Sequence, residues 1–124
     1  MDYLLKNLNL FSGKGNEALK NAAIWVAGSK IKFAGSFEAL PEMPQGTVEK
    51  DLAGKFVMAG MTETHAHLSF ADASPFAIGE TLVEEATLTA VRNARLMLGS
   101  GFTSAVSFGS TYKIDVALRD AISQ

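Results

Sequence analysis

The sequence contains no cysteine, and this absence excludes disulfide bonds, thiolate nucleophiles and cysteine-ligated metal sites. Charged residues are also sparse, at 19% against 48% hydrophobic residues, which is typical of a folded globular chain and not of a disordered one. The formal net charge is only −2 and no block of like charge occurs. Charge therefore gives no reason to expect nucleic acid or an anionic membrane as a partner.

Long hydrophobic runs are missing as well. The first six residues, MDYLLK, are not a basic segment followed by an apolar stretch, so they do not resemble a secretory signal. No apolar stretch approaches the ~20 residues that are needed to cross a bilayer. Together with the absence of cysteine, which suits a reducing compartment, these features predict a cytoplasmic protein.

The first 55 residues have the pattern of a small antiparallel sheet. Residues 7–10 alternate asparagine with leucine, which is typical of a half-buried strand. Two further short strands, 23–27 and 30–34, flank Gly28 and the serine after it. They predict a β-hairpin, because glycine adopts the positive φ that tight hairpin turns require. Residues 48–52 are the last strand predicted in this part.

From residue 56 the pattern changes to alternating strands and helices. Gly60 is expected to form a bend or bulge between two extended segments. Thr81 is the predicted N-cap of a long amphipathic helix, and Gly99 is its predicted end. The predicted elements are strands at 56–58, 61–68 and 102–108 and helices at 81–98 and from 114 onward. This alternation predicts parallel βαβ units.

This second part is expected to be incomplete. Two parallel strands with two helices leave the sheet edges open and much apolar strand surface uncovered. A complete eightfold barrel needs ~250 residues, whereas only about seventy follow residue 55. We therefore expect an amino-terminal piece that ends before most of its active site.

Two histidines occur in the sequence, His65 and His67, and one residue separates them. Residues two apart on a strand project from the same face, so the two imidazoles are expected to lie side by side. Neutral imidazole nitrogen is a good ligand for zinc and other borderline transition metals. The pair is therefore a candidate metal site, although His-x-His alone also arises by chance among surface and core histidines.

The segments around the histidine pair resemble a known family. Residues 57–68, VMAGMTETHAHL, resemble the first barrel strand of the amidohydrolase superfamily, where an apolar run, Pro-Gly and an acidic residue precede His-x-His-Leu. Ala59 and Glu63 depart from that pattern, which has proline and aspartate there. Further segments resemble the family in the same order: LLKN at 4–7, the hairpin at 28–35, DLAGK at 51–55, ARLMLGSGFTS at 94–104 and DVALRDAI at 115–122. The last two are similar to the imidazolonepropionase-like and Xaa-Pro-dipeptidase-like branch.

The resemblance implies a metal-dependent hydrolase of carbon–nitrogen bonds, in which one or two divalent ions, most often zinc, activate water. His65 and His67 would supply two metal ligands. Glu63 is a candidate for orienting one imidazole, or a carboxylate satisfied at the barrel floor. Asp72 is a candidate substrate contact, because barrel active sites are built from loops that follow strands. Other ligands and the general base would come from later strands, so the fragment alone is expected to be inactive.

The predicted fold class is α/β with a small β domain. Residues 1–55 are expected to form part of a small β-sandwich, and residues 56–124 the first strands and helices of an incomplete TIM-like (β/α)8 barrel. The expected substrate is a small amide or dipeptide-like molecule. A deaminase or cyclic amidohydrolase of the same superfamily is an alternative, because the histidine pair is common to all of them.

A different class of function also stays open. The chain could be a non-catalytic remnant, or a subunit that completes its barrel with a partner chain. Open sheet edges predict dimers or aggregates in that case. Formation of a homo-oligomer by the full-length protein is left open.

Overall fold

Two compact units make up the chain, Met1–Ala59 and Gly60–Gln124. The computed structural model describes residues 1–71 and 80–123. The strands are β1 (Asp2–Phe11), β2 (Leu19–Ala27), β3 (Lys30–Ser36), β4 (Val48–Met58), β5 (Met61–Ala66) and β6 (Phe102–Ser107), and the helices are α1 (Val83–Gly99) and α2 (Ile114–Ile122). Short 3-10 turns lie at Phe37–Ala39 and Thr111–Lys113.

The first unit is a four-stranded sheet with the strand order β3-β2-β1-β4. The hairpin predicted at Gly28 is confirmed, since β2 and β3 pair antiparallel on either side of it and Gly28 has a φ of 59°. The prediction of a purely antiparallel sheet is wrong for β4, which pairs parallel to β1. After β3 the chain passes through the turn Phe37–Ala39 to the far side of β1, and β4 then runs in the same direction as β1.

The boundary between the units lies after Ala59 and not after residue 55. Residues 56–58, predicted as a strand of the second part, continue β4 and pair with β1. In that pairing Phe56 lies opposite Asn9, and Met58 lies opposite Phe11. The hydrogen-bonded ladder of the first sheet therefore sets the boundary.

A bulge interrupts β4 inside the segment DLAGK. Ala53 and Gly54 both have positive φ, at 51° and 75°, and the register with β1 shifts at this place. The Asp51 carboxylate accepts hydrogen bonds from the Ala53 N–H at 2.7 Å and from the Asn7 amide at 2.9 Å. These two donors hold the pKa of Asp51 below its ordinary value. The pairing passes from Lys6 opposite Asp51 to Leu8 opposite Lys55, so three residues of β4 lie opposite one residue of β1.

The core of the first unit receives residues from both sides of this bulge. Leu52 and Val57 lie an odd number of residues apart, yet both pack against the same buried cluster. That cluster consists of Leu8, Ala22 and Ile24. Leu52 and Val57 thus pack on the core from either side of the bulge, whereas Phe56 and Met58 are exposed.

The second unit has the predicted parallel arrangement of βαβ type. β5 and β6 pair parallel, with Met61 opposite Phe102 and Ala66 opposite Ser107, and α1 lies between them in the chain. In the described residues this sheet has two strands. Its helices share a small buried cluster of Ala86, Ala90 and Ile114, against which Leu68 and Leu118 pack.

Helix α1 ends at the predicted Gly99 but begins at Val83, with Leu82 as its N-cap in place of the predicted Thr81. Leu82 has extended backbone angles and makes no side-chain cap hydrogen bond. The second helix, α2, begins at Ile114 as predicted. Among the described residues, no helix combines the length and the apolar character that crossing a membrane requires.

Gly60 stands immediately before β5, where the backbone passes close to β6. A Cβ atom at this position would overlap the side chain of Thr103, so glycine allows an approach that other residues would block. The close approach lets the Met61 N–H donate to the Gly101 carbonyl at 2.9 Å. The start of β5 is thereby fixed against the start of β6, and the candidate site lies at the opposite end of these strands.

Candidate metal centre

The two histidines lie at the carboxyl end of β5. His65 is in the strand and His67 follows its last residue, Ala66. Ala66 is 6% exposed, whereas His65 is exposed and His67 is half-buried. The Nε2 atoms of the two imidazoles are 3.2 Å apart. The side-by-side placement that the spacing predicts is therefore present in the structure.

The separation of the two Nε2 atoms can be compared with the geometry of a zinc site. Zinc–nitrogen bonds of ~2.0–2.1 Å at a tetrahedral angle place two ligand atoms ~3.3–3.4 Å apart. The observed 3.2 Å between His65 and His67 is close to that value. The same distance also suits an N–H···N hydrogen bond in the metal-free chain. The two imidazoles thus fit two ligand positions of one ion.

Two ligands do not complete a zinc site, because such sites use at least three protein ligands. Within residues 1–71 and 80–123, no group of three or more histidine, cysteine, aspartate or glutamate side chains comes together. The histidine pair on its own therefore offers fewer ligands than a zinc site needs. Any further protein ligand has to come from outside these ranges.

A backbone carbonyl in the loop after β6 orients His67. The Nδ1 atom of His67 lies 3.0 Å from the carbonyl oxygen of Gly109. Because a carbonyl only accepts hydrogen bonds, Nδ1 carries the proton, and Nε2 of the neutral ring keeps its lone pair. Gly109 has a φ of 137°, which favours glycine. The sequence analysis did not predict a role for Gly109. The Phe-Gly-Ser run directly after β6 could have indicated one.

Phenylalanine rings stack on both imidazoles. The ring of Phe108 is 4.3 Å from that of His65, with an angle of 4° between the planes. The ring of Phe70 is 4.8 Å from that of His67, with an angle of 5°. The two imidazoles are inclined to one another by 65°. Neither phenylalanine was among the residues that the sequence predicted for the site.

Glu63 lies on β5 and is half-buried. Its Oε1 atom accepts a hydrogen bond from the backbone N–H of His65 at 3.0 Å. This bond holds the main chain of the first histidine and not an imidazole, so the predicted orienting of a ring by Glu63 stays a prediction. Asp72, the predicted substrate contact, lies outside the described residues.

The loop after His67 is held by residues that the sequence reasoning also missed. Asn93 on α1 donates its side-chain amide to the carbonyls of Leu68 and Phe70, at 2.9 and 3.1 Å. Ser69 is 3% exposed, and its hydroxyl accepts a hydrogen bond from Ser110 at 2.9 Å. Helix α1 and the loop after β6 therefore fix the segment that follows the histidines.

A serine–aspartate hydrogen bond joins the end of β6 to the start of α2. The hydroxyl of Ser107 donates to Oδ2 of Asp115 at 2.7 Å, and the Val116 N–H donates to Oδ1 at 2.9 Å. The Ser107 hydroxyl is the largest cause that lowers the pKa of Asp115 below its ordinary value, and partial burial opposes it. The hydroxyl of Ser107 thus stabilises the carboxylate that begins α2.

Replacing Ser107 by alanine should lower stability at pH 7 by up to about 1 kcal/mol, a modest value because the serine is solvent-exposed. Asp115 has a depressed pKa in the folded state, so the contribution is fully present above the unfolded pKa of about 3.9. It is lost as the pH falls through the lower folded-state pKa. Urea unfolding between pH 7 and pH 3 measures the difference between parent and variant.

Ser104→Ala is the matched control for this prediction. The Ser104 hydroxyl lies on the same strand, 2.6 Å from the neutral hydroxyl of Thr62, so its loss should cost the same at every pH. A Ser107→Ala difference that stays constant down to pH 3 would show that the charge of Asp115 is not involved.

Comparison with known proteins gave matches among solved structures. No protein-family model and no curated protein matches the chain. A Xaa-Pro dipeptidase with methionine bound in its active site is 22% identical, with a TM-score of 0.81 over 99% of this chain and 30% of that chain. An amidohydrolase is 23% identical, with a TM-score of 0.78 over 98% of this chain and 29% of that chain. A molinate hydrolase is 16% identical, with a TM-score of 0.78 over 98% of this chain and 27% of that chain.

These structural neighbours are amidohydrolase-superfamily proteins. At such identities the likeness establishes the fold alone. The predicted resemblance is confirmed at that level, and so is the predicted α/β class with a small β domain. The chain spans less than a third of the length of the neighbours that it matches.

Proposed function

We propose that this chain is the amino-terminal part of a metal-dependent amidohydrolase that hydrolyses carbon–nitrogen bonds in small amide or dipeptide-like substrates. The observation that carries the proposal is the distance of 3.2 Å between Nε2 of His65 and Nε2 of His67. The hydrogen bond from His67 Nδ1 to Gly109 supports it, because it leaves Nε2 free to bind a metal. The shared fold of a Xaa-Pro dipeptidase and of other hydrolases supports the reaction class.

The position of the pair in the fold supports the same proposal. In barrels of parallel strands, the active site lies at the carboxyl ends of the strands and is built from the loops that follow them. His65 and His67 lie at the carboxyl end of β5, and Gly109 lies in the loop that follows β6. On this proposal, β5 and β6 are the first two strands of a TIM-like barrel, and the sheet of the first unit is part of a β-sandwich.

Each residue of the site has a defined part in the proposed mechanism. When bound, a divalent ion such as zinc polarises the scissile carbonyl and provides a water-derived nucleophile at neutral pH. His65 and His67 bind the ion through Nε2, and the Gly109 carbonyl holds the proton of His67 on Nδ1. Glu63 keeps the backbone at His65 in place. Since the described residues provide two ligands, the proposal assigns the remaining ligands and the general base to residues outside them, and the chain alone is inactive.

Removal of the metal tests this proposal. The complete protein should hydrolyse Xaa-Pro dipeptides or N-acyl amino acids, lose this activity on dialysis against dipicolinate, and regain it when zinc, cobalt or manganese is added back. Elemental analysis of the same samples should show activity rising in parallel with bound metal. The control is a dialysis without chelator. Full activity in a sample that contains no divalent metal would contradict the proposed function.

A further inference from the structure

Two phenylalanine rings, those of Phe70 and Phe108, stack on the imidazoles of the candidate site. Phe108 is 59% exposed, although a phenylalanine that served only the core would be buried. One face of its ring lies against His65 at 4.3 Å and almost parallel to it. Phe70 covers His67 in the same manner at 4.8 Å. The described part of the site thus contains two phenylalanine–histidine stacks.

Backbone hydrogen bonds join the main chain of both phenylalanines to the segment that carries the histidines. The N–H of Phe108 donates to the carbonyl of Ala66, the residue between the two histidines, at 3.1 Å. The N–H of Phe70 donates to the carbonyl of His67 at 3.1 Å. The Phe70 carbonyl also accepts a hydrogen bond from Asn93 on α1. The main chain of each phenylalanine is therefore held in place independently of the contact between its ring and an imidazole.

The plane of an imidazole decides where its Nε2 atom points. Rotation about the second side-chain torsion of histidine is broad, so the main chain alone does not fix that plane. A parallel aromatic neighbour restricts this rotation, because tilting the imidazole forfeits the stacking contact. With His65 and His67 held at 65° to one another, the two Nε2 atoms converge.

We propose that Phe70 and Phe108 are positioning residues of the metal site, which hold the two imidazoles in the orientation that binds one ion. This proposal rests on the proposed function, since the orientation matters only if the pair binds a metal. Each acts through the histidine that it covers.

Replacement of each ring by leucine tests the proposal in the complete protein. Phe70→Leu and Phe108→Leu keep the apolar bulk and remove the planar ring. Each should weaken cobalt(II) binding by about 2- to 10-fold, which corresponds to the loss of one aromatic stack. The affinity is measured by competition with a chromophoric chelator. The visible cobalt spectrum of each leucine variant should also change, because the imidazole ligands are no longer held at the parent angle.

Two sets of variants separate positioning from general damage to the fold. Phe70→Tyr and Phe108→Tyr keep the ring and should keep the parent affinity and spectrum. Phe102→Leu is the matched control, because Phe102 lies at the start of β6 and lines an apolar cavity of about 390 Å³ between the sheet and the helices. It should leave cobalt binding unchanged. Circular dichroism checks that every variant is folded.

The parent protein provides a second measurement that needs no folded leucine variant. In the metal-free state, NMR should show contacts between the ring protons of His65 and Phe108 and between those of His67 and Phe70. Cobalt affinity equal to that of the parent in both leucine variants, or absence of these ring contacts, would overturn the positioning role and leave the proposed function intact. Retention of cobalt after His65 and His67 are both replaced by alanine would overturn the proposed function itself.

Discussion

Replacing His65 and His67 together by alanine should remove the bound divalent ion from the complete protein and abolish its hydrolytic activity. Loss of a hydrogen-bonding partner of a metal ligand costs about 10- to 100-fold in metal affinity or activity, so loss of two ligands should exceed 100-fold. The fold should change little, because His65 is exposed and His67 is only half-buried. Elemental analysis measures the bound metal, kcat/KM on a Xaa-Pro dipeptide measures the activity, and circular dichroism checks the fold.

Thr64 offers a matched control for this experiment. It is exposed and lies on the same strand, beside His65. Its side chain projects from the opposite face of β5, because successive residues of a strand alternate. Thr64→Ala should therefore keep the parent metal content and activity. If the double histidine variant kept its metal as well, the two imidazoles would not be the ligands.

Much of the candidate site follows from local sequence pattern. The placement of His65 and His67 on one side of a strand end needs only the period of two that every strand has. The hairpin at Gly28 also depends on the conformational preference of a single residue, and the end of α1 is followed by Gly101, which has a φ of 92°. Such features are predictable because neighbours in the chain determine them.

Other features depend on contacts between residues that are far apart in the chain. His67 and Gly109, which form the hydrogen bond that sets the tautomer, are 42 residues apart. Phe108 reaches His65 because β6 pairs with β5, and the side chain of Asn93 on α1 reaches the carbonyl of Phe70. No periodicity marks these residues, so they could be identified only from the folded chain.

The dependence on contacts between distant residues also explains why the direction and the end of β4 were predicted wrongly. Residues 48–58 have the composition of a strand, but the direction of β4 depends on which side of β1 the chain reaches after β3. The bulge at Ala53 and Gly54 interrupts β4, and the strand continues beyond it to Met58 with Val57 packed against the core. A strand predicted to stop at residue 52 therefore continues to residue 58, and the boundary between the units moves with it.

Leu8 should be the most sensitive position in the first unit. Its side chain is 1% exposed and packs against Ala22 and Ile24. Leu8→Ala should lower the free energy of unfolding by about 2–5 kcal/mol, because the small side chain of Ala22 cannot extend to fill the cavity. Trp25, the single tryptophan of the sequence, lies on β2 in the same sheet. Its fluorescence during urea unfolding reports on this unit.

Leu19→Ala is the control that separates burial from the chemical change. Leu19 also lies in a strand of this sheet, but 44% of its surface is exposed, so the same substitution should cost less than about 1 kcal/mol. A larger loss for Leu8→Ala would place the core of the unit at the cluster of Leu8, Ala22 and Ile24. Equal losses for the two variants would mean that the sheet is stabilised mainly by its hydrogen-bonded ladder and not by that cluster.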